Sequence, residues 1–500
     1  MVQFQVLTWN ARDENEEHII RMFGKTMKGD SVCVSTKFIP YFFIKVPIYM
    51  TPNSLIQYVN RTCPDIENID TVQAKDMEGF QNGEDSYFLQ IHCKNLLSRR
   101  FISSRLRKSI TGLSCRLKTF EANVDPVLRL MHRTGIQSTG WVDTGGSCDI
   151  AYDTKVDIDL KCENWQDLKP IETTDIAPFV IASFDIECHS STGKFPDPTI
   201  KGDVCFQIAI SLLRFGEEEP YDKTCLCYKQ TDSDLDGCNI ISYSTERDLL
   251  MGFTEYINKF DVDIITGWNI FGFDLEYLME RGIINNCPLA FFRMSKLRDY
   301  TCTLTRKKLS SSALGDNELK LVPMPGRFIF DLFHEVKREY KLDSYKLDNV
   351  SKLYLGDNKI DMPPKEMFRR YEEGDPIKLR EVAEYCIKDT LLPHRLISKL
   401  CTLMNLLEMA KATWVPLSYL VERGQQIKVF SQLTKKAREM GFKVPTYEYG
   451  HVDNTGYIGA TVLEAQSGAY YTPITALDFE GLYPSIMMAH NLCYSTLVMD

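Results

Sequence analysis

Asp185 and Glu187 stand two residues apart in the segment FDIE, directly after the apolar run VIAS. Residues two apart on a β-strand share a face, so a single strand here presents two carboxylates side by side. A third carboxylate, Asp274, follows the loop GWNIFGF and opens a helical stretch, LEYLMERG. Taken alone, an Asp in that place also reads as a helix N-cap, a position it favours. Tyr385 and Asp389 are four apart in EYCIKD, which puts a phenol and a carboxylate on one face of a helix. Four carboxylates gathered without cations repel strongly. The set Asp185, Glu187, Asp274 and Asp389 therefore predicts a metal site, and its all-oxygen ligands suit Mg²⁺ or Mn²⁺. Two such ions activate a water and stabilise the leaving oxygen in phosphodiester hydrolysis. Tyr385 is placed to orient that water.

The elements that must bring these residues together alternate along the chain. The strand-like runs FVIASFDIECHS (179–190) and CFQIAISLLRF (205–215) precede ERDLLMGFTEYINKFDVDIITGWN (246–269), which reads as helix, strand and loop. That alternation is the α/β signature. Upstream, residues 153–175 alternate apolar and polar before a polar connector, which predicts a boundary near residue 177 after a mixed α+β domain. Residues 391–450 read as mostly helical, and 455–485 as strand-rich with glycine turns. The basic run SRRFISSRLRKS (98–109) is expected to be an amphipathic helix with a solvated charged face.

Bulk properties narrow the field. At about 100–200 residues per domain, 500 residues predict about three domains. The 44% apolar and 25% charged content is that of ordinary folded proteins, so wholesale disorder is excluded. No apolar run reaches the roughly 18 residues of a membrane span, and the first residues carry no signal-peptide pattern. The expectation is a soluble, intracellular chain with no membrane partner. Sixteen scattered cysteines without a C-x-x-C pair predict reduced thiols and no zinc ribbon. A net charge of −10 argues against a generally basic nucleic-acid coat, yet leaves room for local basic channels.

With these residues in place the chain resembles the family B DNA polymerases, and among them the delta-like enzymes of eukaryotes and their large DNA viruses. FDIE is similar to the first exonuclease motif, NIFGFD (269–274) to the second and YCIKD (385–389) to the third. RGQQIKVFSQL (423–433), YIGA (457–460) and DFEGLYPSIMMAHNLCYSTLV (478–498) match further segments in family order, and GRFIFDLFHEVKREYKLDSYKLDNVS (326–351) resembles the delta-like stretch between motifs. The match runs from about residue 180 onward; the first 177 residues follow by position.

The resemblance implies an α/β multidomain architecture. An N-terminal domain (1–177) would precede a ribonuclease-H-like 3′→5′ exonuclease domain (178–390). A helical connection (391–450) would lead into the start of a polymerase palm (451–500). It implies a replicative, proofreading DNA polymerase with two Mg²⁺ or Mn²⁺ per active site. Primer-template DNA and deoxynucleoside triphosphates would be its substrates, a sliding clamp a possible partner, and the nucleus or a viral replication site its location. By matched position, Asp185, Glu187, Asp274 and Asp389 are the nuclease metal ligands and Tyr385 positions the water. Asp478 is similar to the first palm carboxylate, with the Phe479 carbonyl beside it. Phe479, Glu480, Gly481, Leu482 and Tyr483 line the nucleotide, Tyr483 under its sugar. Gly481 departs from the small serine-like residue usual there. Asn269, Phe273, Tyr457 and Gly459 are candidate DNA contacts, as are Arg306, Lys307 and Lys308 where relatives carry a strand-parting hairpin.

The second palm carboxylate, in a Y-G-D-T-D type motif, occurs nowhere in these 500 residues. The expectation is therefore a fragment that retains exonuclease activity at most. A stand-alone exonuclease and a non-catalytic DNA-binding scaffold are the competing readings.

Overall fold

The computed structural model describes residues 1–108, 116–146, 148–311, 315–357, 362–447 and 459–498. The chain forms two compact units. One comprises residues 1–38 and 125–432, the other residues 39–124 and 433–500.

The first unit holds two large sheets. In the seven-stranded one, strands Gln3–Glu14, Glu17–Lys25 and Ser31–Lys37 run as an antiparallel meander. Their inward residues Phe4, Val6, Met22, Val32 and Val34 pack with Ile136 and Val142. At the edge of this sheet Cys148 and Cys162 lie directly opposite on antiparallel strands and form a disulfide. This corrects the expectation of uniformly reduced thiols: strand pairing, not secretion, brings the two sulfurs together. The other described cysteines are free.

The second sheet positions the carboxylates. Its central strand, Val180–Cys188, pairs antiparallel with Cys205–Arg214 and parallel with Ile264–Thr266. The sheet continues through Asp222–Tyr228 and Asn239–Tyr243 on one side and Phe328–Ile329 on the other. Its interior strands read as continuous apolar runs because both faces are covered. On one face helix Pro376–Lys399 packs Ala383, Cys386 and Ile387 against Ala209, Cys225 and Cys227. Phe184 points the other way, to Phe253 of helix Glu246–Lys259. Strands Thr305–Ser311 and Gly315–Leu321 form a separate hairpin.

His394, on helix Pro376–Lys399, is buried, and its Nε2 donates to the Ser211 carbonyl at 3.1 Å. Burial pushes its pKa down to about 4. The unfolded chain therefore takes up this proton first, and native stability should fall as pH drops from about 6.5 toward 4. At about 1.4 kcal/mol per pH unit, this residue should cost about 2 kcal/mol at pH 5 relative to pH 7. Urea midpoints of the parent and His394→Gln, compared at both pH values, test this. The parent should lose more than the variant.

The second unit is built on a five-stranded sheet, in the order Phe442–Lys443, Ile66–Asp76, Ser86–Cys93, Tyr41–Lys45, Thr119–Phe120. Helices Pro52–Thr62 and Leu96–Arg107 pack on it through Leu55, Val59, Ile102 and Leu106. The basic run is helical as expected, but its charged residues are not all solvated. Arg99 is buried and donates to the Val124 carbonyl at 2.6 Å.

Residues 459–480 carry no strand, contrary to the strand-rich reading of 455–485. A strand needs a neighbour for its N–H and C=O groups, and among the described residues none pairs with this segment. A helix, Leu482–Ala489, follows, with Gly481 before it at φ 66°. Glycine suits that left-handed position, which costs other residues roughly 1–2 kcal/mol. Among the described residues no helix is long and apolar enough to cross a membrane.

Candidate metal centre

The Val180–Cys188 strand places Asp185 opposite Ala209 and Glu187 opposite Gln207, both on the face that receives helix Pro376–Lys399. That helix contributes Cys386, whose Sγ lies 3.6 Å from the Asp185 carbonyl and 3.9 Å from Asp185 Oδ2. One ligand atom from each of Asp185, Glu187 and Cys386 falls within 4.8 Å of the others. Tyr385 and Asp389 flank Cys386 on the same helix, and both are buried.

Asp274 arrives from the third direction. It is the first residue of helix Asp274–Ile284, and that helix has no side-chain cap. The N-cap alternative is thereby corrected: Phe273 holds the cap position, and Asp274 is the first residue of the helix itself. Asp274 is 4% exposed. Burial, then the neighbouring Asp185 charge, raises its carboxyl well above the ordinary carboxylate range.

The loop before Asp274 is tightly placed. A Cβ on Gly267 would lie 2.6 Å from the Phe184 carbonyl oxygen, so the strand and loop approach at a distance only glycine allows. Asn269 adopts φ 66°. Its carbonyl accepts the N–H groups of Gly272 and Phe273 at 2.9 and 3.1 Å. Asp331, fully buried, accepts the N–H groups of Asn269 and Phe271. Burial pushes the Asp331 carboxyl up to about 7 although these donors favour its charged form.

Glu187 opens onto a cleft of about 600 Å³ lined by Phe195, Phe273, Met367 and Phe368 together with the exposed Lys194 and Lys365. Phe195 and Phe273 meet edge to face, with ring centroids 5.2 Å apart. The loop carrying Phe195 is braced by a buried fork. Arg281 Nε and Nη2 bond the two Glu246 oxygens at 2.8 and 2.6 Å. Arg281 Nη1 reaches the carbonyls of Pro198 and Ile200, and Glu246 also accepts the Cys205 N–H.

The donor chemistry fits hard divalent cations. Asp185, Glu187, Asp274 and Asp389 supply oxygens only, in a crowd that cations relieve. Cys386 is not a competing soft ligand. Burial, reinforced by the charges of Asp185, Glu187 and Asp389, pushes its thiol far up and keeps it protonated.

Asp478, Phe479 and Tyr483 are exposed on the second unit, and among the described residues no further His, Cys, Asp or Glu cluster gathers around Asp478. Gly459 is exposed, and Tyr457 lies outside the described residues. In the hairpin, Arg306 bonds Glu276 at 2.8 Å, and Lys320 bonds Glu276 and the Gly272 carbonyl. Lys307 lies 4.0 Å from Glu422, and Lys308 is exposed.

Sequence reasoning missed Asp331, Cys386 and Phe195. Asp331 had a readable signal, an Asp closing the apolar run RFIF directly ahead of a helix, which is where N-caps sit. Phe195 had none beyond its place in a polar loop.

Comparison with known proteins places these features. Residues 117–350 match the family described as DNA polymerase family B, exonuclease domain, and residues 415–500 match DNA polymerase family B. The DNA polymerase of Paramecium bursaria Chlorella virus NY2A is 35% identical over 501 residues, covering 98% of this chain and 54% of that protein. The DNA polymerase delta catalytic subunits of Schizosaccharomyces pombe and Dictyostelium discoideum are 34% and 37% identical, over 99% and 96% of this chain and 47% and 45% of theirs. The chain thus spans about half the length of the curated relatives it matches. In structure it is similar to the family B DNA polymerase of the hyperthermophilic archaeon Pyrobaculum calidifontis. The TM-score is 0.68 at 22% identity, over 98% of this chain and 57% of that one, a likeness of fold.

Proposed function

The chain belongs to the family B DNA polymerases, and from that premise we propose that residues 178–390 are a 3′→5′ exonuclease trimming single-stranded DNA ends. What supports this most is the pair Asp185 and Glu187 on the sheet face that receives the helix carrying Tyr385 and Asp389, with the buried Asp274 near Asp185, beside an apolar cleft with exposed lysines.

In this reading the four carboxylates would hold two Mg²⁺ or Mn²⁺ ions, which would supply charge neutralisation at the scissile phosphate and a more acidic water. Tyr385 orients that water for in-line attack on phosphorus. The bond from phosphorus to the 3′-oxygen breaks, a deoxynucleoside monophosphate leaves, and the shortened strand keeps a 3′-hydroxyl. Phe195 and Phe273 stack the terminal bases, since aromatic faces accept any base. Lys194 and Lys365 meet phosphates, and Asn269 the strand's backbone. Arg306, Lys307, Lys308, Tyr457 and Gly459 are the outer DNA contacts of the same proposal.

The whole protein is proposed to be a replicative DNA polymerase of delta-like type, acting on primer-template DNA in the nucleus or at a viral replication site, with a sliding clamp as a possible partner. Asp478, with the Phe479 carbonyl, would supply the first palm ligands, and residues 480–483 would cradle the triphosphate. Because the Y-G-D-T-D type motif is missing from these 500 residues, the chain itself should trim without extending.

The test uses 5′-labelled single-stranded and primed DNA with Mg²⁺, comparing the chain with Asp185→Ala, with and without deoxynucleotides. Stepwise 3′ trimming that vanishes in the variant is the expected result. A folded chain that never trims either substrate would refute the nuclease assignment, and extension would refute the account of the palm.

A further inference from the structure

Asp331 does two jobs with one carboxylate. It caps helix Leu332–Glu339, accepting the Phe333 N–H at 3.0 Å on Oδ1. The same Oδ1 accepts the Asn269 N–H at 2.8 Å, while Oδ2 accepts the Phe271 N–H at 2.9 Å. Those two amides bracket the turn that delivers Asp274. Within it the Asn269 carbonyl receives Gly272 and Phe273, and the Leu275 N–H reaches back to the Ile270 carbonyl at 3.1 Å. The register of Asp274 therefore follows from a turn whose backbone is fixed at positions 269 and 271. Asn269 sits in the left-handed region, a conformation that persists only where surroundings over-determine it.

Asp274 also needs restraint. Its carboxylate is held in a buried site near that of Asp185, and like charges push it outward. A loosely held turn would yield to that push, and cation binding would first have to draw Asp274 back.

We propose that Asp331 is a positioning residue of the metal centre, clamping the Asn269–Phe273 turn so that Asp274 is preset for cation binding. The proposal rests on the nuclease reading above and adds a residue outside its motifs. Asp331→Asn keeps the shape of the side chain but turns one acceptor into an NH₂ group, which must face a backbone N–H, donor against donor. Removing a partner that orients a metal ligand costs about 10–100-fold in metal affinity or activity. The expected result is a fall of that size in Mn²⁺ affinity, read from the spin-resonance signal of the free ion. A similar fall in kcat on single-stranded oligothymidylate should accompany it, with KM unchanged.

Mn²⁺ affinity and kcat equal to the parent's, even with a lowered melting temperature, would overturn the clamp and leave Asp331 a helix cap. Asp185→Ala separates the two levels. If the parent binds Mn²⁺ no better than that variant, the nuclease reading itself fails. If parental binding depends on Asp185 and Asp331→Asn binds equally well, only the clamp fails. Should Asp331→Asn not fold, hydrogen exchange on the parent decides. Mn²⁺ should slow exchange at the Asn269 and Phe271 amides, because metal and clamp stabilise the same closed turn. Identical exchange with and without metal would overturn the proposal.

Discussion

Asp274→Asn should yield a chain that unfolds at higher urea than the parent in metal-free buffer and trims DNA at least about 10³-fold more slowly, a loss of some 4 kcal/mol in barrier lowering. The two effects share one cause. Asp274 is buried, and its carboxyl is raised first by that burial and then by the Asp185 charge. Like charges in van der Waals range repel by a few kcal/mol at an effective dielectric of about 20, which sets the scale of the gain. Asparagine keeps the size of the side chain and discards the charge. The pH dependence follows in sign. A carboxyl whose native pKa lies above its unfolded value favours folding below about pH 4 and loses that contribution as pH rises. The variant's advantage should therefore grow from acid to neutral pH. Adding Mn²⁺ should reverse the order, because binding stabilises only the chain that keeps its ligand. Urea melts at pH 4 and 7, with EDTA or Mn²⁺, read all of this. Equal stability of the two chains in EDTA at pH 7 would show that Asp274 feels no such repulsion.

That trade explains what was legible in the sequence. FDIE, EYCIKD and the FGFD loop announce themselves because a strand places Asp185 and Glu187 on one side and a helix places Tyr385 and Asp389 on one side, whatever surrounds them. The α/β order of residues 179–269 was readable for the same reason: continuous apolar runs and helical spacing are local properties. Asp331 was not readable as a clamp, because its partners lie 60 and 62 residues earlier and are backbone amides without side-chain identity. Cys386 looks like filler between Tyr385 and Asp389 until the strand is laid against it. The Cys148–Cys162 disulfide was missed since compartment arguments say nothing about which residues strand register sets face to face. Over the described residues 459–480, the strand reading of 455–485 failed in the opposite direction. Alternation is present there, but a strand exists only where another backbone pairs with it.

The second large effect concerns Asp263, which no chemical motif contains. Asp263→Ala should destabilise the chain by about 3–5 kcal/mol, the range for breaking a buried ion pair. Lys25 Nζ lies 2.6 Å from Asp263 Oδ2 and Lys296 Nζ 2.6 Å from Oδ1, and all three side chains are almost wholly inaccessible. Burial alone would raise the Asp263 carboxyl, yet Lys296 and Lys25 hold it below its ordinary value. Its contribution is thus present above about pH 4 and lost as acid protonates it. Alanine removes the group that both ammoniums share, although Lys296 keeps Asp261 at 3.0 Å. Lys25 is left with the heavier desolvation. The loss extends to the metal centre, because Asp263 Oδ2 accepts the Val180 N–H and its own N–H bonds the Val180 carbonyl, fixing the start of the FDIE strand. Replacing the whole triad by Lys25→Met, Asp263→Leu and Lys296→Met should recover most of the stability, since well-packed apolar residues of similar volume often match a buried ion network. Urea melts of the single and triple variants test the argument. A single variant within about 1 kcal/mol of the parent would mean that the lysines swing out to water and that the network contributes as little as a surface pair.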